Sequence, residues 1–178
     1  MTDINIENIV VTTKIAESLD LNRLAEEIPY SKYNPEEVQA LIIHFKNPTT
    51  AVMLFSNGNV VFTGPRNNDE VDEIIKMLSD KLKAIGVEVY PKPEINIKNI
   101  VASADLKKNF DLNSIANSIG NAEYNPELFP GLIYKTDAPN TVILLFNSGK
   151  IVCNGKESEE ISTAIDNMTN ELSSLGIL

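Results

Sequence analysis

Two phenylalanines 91 residues apart each close a stretch that carries no polar side chain: Ala51-Val-Met-Leu-Phe55 and Val142-Ile-Leu-Leu-Phe146. No catalytic set accompanies them. The chain has one histidine, His44, and one cysteine, Cys153, too few for a transition-metal site or for a nucleophile with its base. It has no glycine-rich phosphate loop, no nucleophile elbow and no paired carboxylates with a supporting base. An enzyme and a bound cofactor are therefore not expected. The chemistry on offer is contact chemistry: flat rings, branched aliphatic side chains, and short amides and hydroxyls. Cys153 reads as a small core residue and His44 as a surface residue of a strand.

A strand with one face in water alternates apolar and polar residues. These two do not, so both of their faces need a cover. By parity Val52, Leu54, Ile143 and Leu145 point to one side, and Met53, Phe55, Leu144 and Phe146 to the other. Val10, Val61, Val101 and Val152 join the second set, with Asn8, Thr63, Asn99 and Asn154 among them. Helices can cover one side only, because each half of the chain has a single long helical pattern. An apolar face left over marks an interaction surface, or one buried by a homodimer or by a further packing element of the chain. Its residue types suit the DNA minor groove. Apolar side chains press there on sugars and base edges, large ones wedge between base steps, and amides and hydroxyls meet the acceptors of A·T pairs.

The elements behind these residues occur twice. Residues 6–64 and 97–155 align at a constant offset of 91, with 22 of 59 positions identical. Each copy reads as a strand (6–13 in the first), a helix begun by Asp20 or Asp111, and an extended Tyr-Asn-Pro-Glu segment. Strands follow at about 40–46, 51–56 and 59–63, with Asn57-Gly58 as a tight hairpin turn between the last two. Long amphipathic helices close the copies, at 68–85 and about 158–175. The two repeats are taken as 1–90 and 91–178. Two long repeats are too few for a solenoid and indicate one pseudo-twofold α+β molecule with an antiparallel sheet.

Composition bounds the setting. Of 178 residues, 43% are hydrophobic and 22% charged, as in ordinary globular proteins. No apolar run approaches the ~20 residues of a membrane span, and no signal peptide opens the chain, so a cytoplasmic protein is expected. The net charge of −10 speaks against a polyanionic partner when taken as a sum. The charge at a binding face can differ from that sum.

Several ordered motifs resemble the TATA-box-binding protein family. They are Ala122-Glu-Tyr-Asn-Pro-Glu-Leu-Phe-Pro-Gly-Leu-Ile-Tyr-Lys135 and Leu144-Leu-Phe-Asn-Ser-Gly-Lys-Ile-Val-Cys-Asn-Gly155. The first copy matches more loosely, through Glu7–Val11, Tyr33–Glu36 and Thr50–Gly64. The resemblance covers nearly the whole chain and looks closest to the archaeal form. It implies a saddle with a curved ten-stranded antiparallel sheet, helices on the convex face and A·T-rich promoter DNA beneath. Asn8 and Asn99 would bond central base pairs, flanked by Thr63 and Asn154. Val10, Val61, Val101, Val152, Met53 and Leu144 would line the groove. Phe129 on a stirrup loop, beside Pro130, and Phe146 would be the wedges of the second repeat.

The first repeat departs from that pattern. Phe55 is retained, but Val38, followed by Gln39, stands where the other wedge is expected. Asn154 stands where the family has threonine. His44 replaces an expected arginine and Asn59 an expected lysine; Arg66, Lys135 and Lys150 remain as phosphate contacts. Glu127 and Leu128 would meet transcription factor B, which brings RNA polymerase. The alternative is a divergent paralogue whose saddle binds proteins, with the thinned basic residues of the first repeat as its support. A substrate-recognition domain of a nucleic-acid enzyme ranks below both, because no room remains for a catalytic domain.

Overall fold

Among the described residues, side-chain caps begin three of the four helices. Asp20 accepts from the Arg23 N–H at 3.2 Å and starts α1 (Leu21–Glu27). Asn67 accepts from the Glu70 N–H at 2.9 Å and starts α2 (Asn68–Ala84). Asp111 accepts from the N–H groups of Asn113 and Ser114, at 3.1 and 3.3 Å, and starts α3 (Leu112–Ser118). Each bond satisfies an amide without an intrahelical partner. α4 (Ser158–Ser174) has no such cap, but Glu159 and Glu160 lie at its positive end. Gly86, just past α2, takes φ +82°, a left-handed helix stop.

The computed structural model describes residues 2–178. They form two units, Asn8–Lys98 and Asn99–Leu178, the latter with the residues up to Glu7. The strands of the first repeat are β1 (Asn5–Lys14), β2 (Lys32–Tyr33), β3 (Leu41–Phe45), β4 (Thr50–Leu54) and β5 (Asn59–Thr63). Those of the second are β6 (Asn96–Asp105), β7 (Ala122–Glu123), β8 (Leu132–Asp137), β9 (Asn140–Leu145) and β10 (Lys150–Gly155). Hydrogen bonding runs β2-β3-β4-β5-β1 in one repeat and β6-β10-β9-β8-β7 in the other. The neighbours within each run are antiparallel. The class is α+β: ten antiparallel strands and four helices.

Strand parity separates core from open face. Val52, Leu54, Val60 and Phe62 are fully buried in the first unit; Ile143, Leu145, Ile151 and Cys153 are their counterparts. α4 lies on β9 and β10 and buries Ile161, Ala164, Ile165, Met168 and Leu172. α2 buries Val71, Ile74, Leu78 and Leu82 in the same spacing. Each of the larger side chains among these, Ala164 aside, contributes about 1.5–3 kcal/mol through burial. The Tyr134 hydroxyl donates to Glu171 at 2.9 Å and ties β8 to α4. Burial, then that carboxylate, pushes its pKa up to about 12. Its contribution is thus present below pH 10 and is lost as the pH rises toward 12.

Two local readings change. The short strands β2 and β7, one of them within the stretch read simply as extended, exist because Tyr33 pairs with Leu41 and Glu123 with Ile133. The turn after β4 has three residues rather than two. The Gly58 N–H bonds the Phe55 carbonyl at 3.0 Å, and the Phe55 N–H bonds the Asn59 carbonyl at 2.9 Å. Phe146 makes the same pair of bonds with Gly149 and Lys150. Both phenylalanines therefore sit at the mouth of a hairpin, one residue past the strand that had been expected to hold them.

Candidate nucleic-acid interface

The open face of each unit is built by alternate residues of four adjacent strands. In the first unit Met53 of β4 stands opposite Val61 of β5, and Val61 opposite Thr12 of β1. Thr63 lies between Ala51 on one side and Val10 on the other. The Thr63 hydroxyl is clasped by the Asn8 amide, at 2.7 Å from Nδ2 and 3.1 Å from Oδ1. Asn8, Val10, Met53, Phe55, Val61 and Thr63 are all partly exposed, while Ile9, Val11, Val52, Leu54, Val60 and Phe62 beside them are buried. β3 extends the face with Ile42, opposite Met53.

The second unit repeats these rows. Leu144 stands opposite Val152, and Val152 opposite Ser103. Asn154 lies between Val142 and Val101. Asn99, Val101, Leu144, Phe146 and Val152 are partly exposed and Asn154 is exposed. Parity had therefore separated the two faces, but the list of groove residues omitted Thr12, Ile42, Ala51, Ser103, Ile133 and Val142. The same period-2 rule, applied to every strand of the repeat, would have found them.

A loop flanks each face. Both are folded by an asparagine. The Asn34 side chain accepts from the Glu36 N–H and its carbonyl from the N–H groups of Glu37 and Val38. Asn125 does the same for Glu127, Leu128 and Phe129. The loops differ in what they display. The second packs Phe129 against Phe146 edge to face, with ring centres 6.0 Å apart and planes at 62°. It leaves Leu128 84% exposed beside exposed Glu127 and Pro130. The first shows Val38, 42% exposed, and exposed Gln39.

The family model for "Transcription factor TFIID (or TATA-binding protein, TBP)" matches residues 3–85 and again 94–175. This chain belongs to the TATA-binding protein family. It is 47% identical to the TATA-box-binding protein of Thermoplasma volcanium over 98% of this chain and 97% of that one. Against the TATA-box-binding protein of Archaeoglobus fulgidus it is 42% identical, over 98% and 97%. The solved Methanococcus jannaschii TBP superposes with a TM-score of 0.90 at 37% identity, covering 97% of this chain and 99% of that one.

Within this member of the family, the structure redraws the charge on the open faces. Asn59 had seemed a lost cation. Lys14, exposed, stands directly opposite it across β1 and β5. In the second unit the roles are exchanged: Lys150 is retained, but its cross-strand neighbour is Asp105. The first repeat thus sets Lys14 opposite a neutral asparagine, the second Lys150 opposite an acid. Sequence reasoning missed Lys14 because its meaning lies in the register, not in its own position. Lys135 and His44 are exposed on β8 and β3. Arg66 is exposed past β5, and its backbone N–H is held by Glu70 at 2.6 Å.

Cys153 is fully buried on the helix side, as parity required. Burial pushes its thiol up to about 11, against a small lowering by Thr141. That lowers the thiolate fraction about a hundredfold relative to an unfolded chain near pH 8. The native protein is expected to react with a disulfide reagent at least that much more slowly than the denatured one. Native and denatured rates within tenfold would show the thiol to be accessible. Among the described residues, no helix is long and apolar enough to cross a membrane.

Proposed function

We propose that this chain is an initiation factor without enzymatic activity that binds and bends A·T-rich promoter DNA through the minor groove. The two repeats, 1–90 and 91–178, each contribute a face to DNA binding. One observation carries the reading: in a member of this family, both units keep an apolar open face set with Asn8 and Thr63 or with Asn99 and Asn154. Phe55, Phe129 and Phe146 wedge between base steps, and the amides read the A·T-type acceptors. Lys14, Arg66, Lys135 and Lys150 contact phosphates. Exposed Glu127 and Leu128 receive transcription factor B, which brings RNA polymerase. The setting is the cytoplasm. The thinned basic residues that had favoured a purely protein-binding saddle are partly offset by Lys14.

A gel-shift titration over salt concentration tests this. Binding to a TATA-like duplex is expected to weaken linearly in log–log form as salt rises, because the counterions displaced from the phosphates are then released less favourably, and to strengthen with transcription factor B. Lys14→Ala should reduce the slope by about 1. Absence of a shift at every salt concentration, with and without transcription factor B, defeats the proposal.

A further inference from the structure

One polar position on the open faces differs between the two units. Thr63 of β5 lies between Ala51 and Val10, and Asn154 of β10 lies between Val142 and Val101, so the two hold the same place in their repeats. Thr63 is engaged. Its hydroxyl donates to Oδ1 of Asn8 at 3.1 Å, and its oxygen lies 2.7 Å from the Asn8 amide nitrogen. Asn99 is the counterpart of Asn8, yet among the described residues its side chain and that of Asn154 bond to no other group. Asn154 is exposed as well, so its whole amide is free for a ligand.

We propose that Asn154 lets the second repeat accept a G·C pair at the centre of the site, while the Asn8–Thr63 pair holds the first repeat to A·T. The inference rests on the minor-groove reading above. In the minor groove an A·T edge shows only acceptors, and a G·C edge adds the guanine 2-amino donor. A hydroxyl brings one hydrogen, and that of Thr63 is committed to Asn8. To receive a 2-amino group, Thr63 would have to share the oxygen that Asn8 already uses. An amino group left without an acceptor has lost its water for nothing, which is the costly case. A carboxamide carries a donor and an acceptor side by side. Asn154 can thus give an N–H to guanine N3 while taking one from the 2-amino group. Turned over, the same amide gives its N–H groups to the acceptors of an A·T pair.

Duplexes with A·T at both central pairs, G·C at one, or G·C at both test this, the last two also made with inosine. Inosine is guanine without its 2-amino group, so its minor-groove edge is of the A·T type. The protein can turn round on a near-symmetric site and so meet a single G·C pair with Asn154. Wild type is expected to lose at most about threefold from one G·C pair and about tenfold or more from two. Inosine should recover the second loss. Asn154→Thr should lose about tenfold from one G·C pair, again recovered by inosine. Thr63→Asn should bring tolerance of two G·C pairs to within about threefold. Circular dichroism checks that each variant is folded, and the two variants are independent arms.

The inosine arm separates a hydrogen bond from a general defect, because a misshapen face would bind guanine and inosine duplexes equally badly. Equal losses from one G·C pair in wild type and Asn154→Thr overturn the proposal. So does a loss in Asn154→Thr that inosine leaves in place, or a folded Thr63→Asn that tolerates two G·C pairs no better than wild type. In each of these cases the A·T duplex is still bound, and the minor-groove reading stands. A wild type that binds none of the duplexes overturns that reading, and this proposal with it.

Discussion

Phe129→Ala combined with Phe146→Ala is expected to remove most of the DNA bend, while Val38→Ala leaves it nearly unchanged. Affinity should respond less than bending, and the magnitudes say why. Burying a phenylalanine contributes about 1.5–3 kcal/mol, but unstacking the step it enters costs a few kcal/mol. The two terms nearly cancel, so loss of the pair changes affinity by about tenfold, near 1.4 kcal/mol. The bend depends on the wedge itself and has no such compensation. The pair also supports itself: an edge-to-face contact at 6.0 Å contributes about 0.5–1.5 kcal/mol beyond burial, so either single variant should weaken the other ring. Energy transfer between dyes on the two duplex ends reads the bend. Equal losses for Val38→Ala and Phe129→Ala would end the idea of an asymmetric wedge.

What could be read from the residues was what local chemistry writes. Asp20 and Asp111 start helices because an unpaired amide needs an acceptor three residues away, and the sequence contains both partners. The burial of Val52 and Leu54 and the exposure of Met53 and Phe55 follow from a period of two. What could not be read depends on register. A two-residue strand such as Lys32–Tyr33 has no pattern of its own and exists through Leu41 and Ile42. Lys14 acquires its role only when β1 is laid against β5. Gly131 carries no side chain to read. Its closeness to the Phe129 and Phe146 rings shows only when the two are brought together by the fold.

Gly58→Ala is expected to be among the most destabilising single substitutions in the chain, with Gly149→Ala close behind. Both glycines end three-residue hairpin turns at positive φ, +82° and +89°. The side chain of any other residue costs about 1–2 kcal/mol in that region. The second reason is packing. The chain leaving β1 crosses the turn so closely that a methyl on Gly58 would lie 1.9 Å from the Ala16 carbonyl oxygen. On Gly149 it would lie 2.4 Å from the Lys108 carbonyl oxygen. Those are main-chain atoms, so relief requires moving the segment. That breaks the 2.9 Å bonds from the Ile15 N–H to Gly58 and from the Leu106 N–H to Gly149. Together the terms reach about 3 kcal/mol or more, a fall in Tm of roughly 6–12 °C for a chain of this size. Gly120→Ala is the control, since nothing lies within 4 Å of its missing methyl and its backbone is not left-handed. Calorimetry compares the three. A Gly58 variant melting within 2 °C of the Gly120 variant would mean that the turn and the crossing segment yield together, and that the hairpin mouth holding Phe55 is softer than its hydrogen bonds imply.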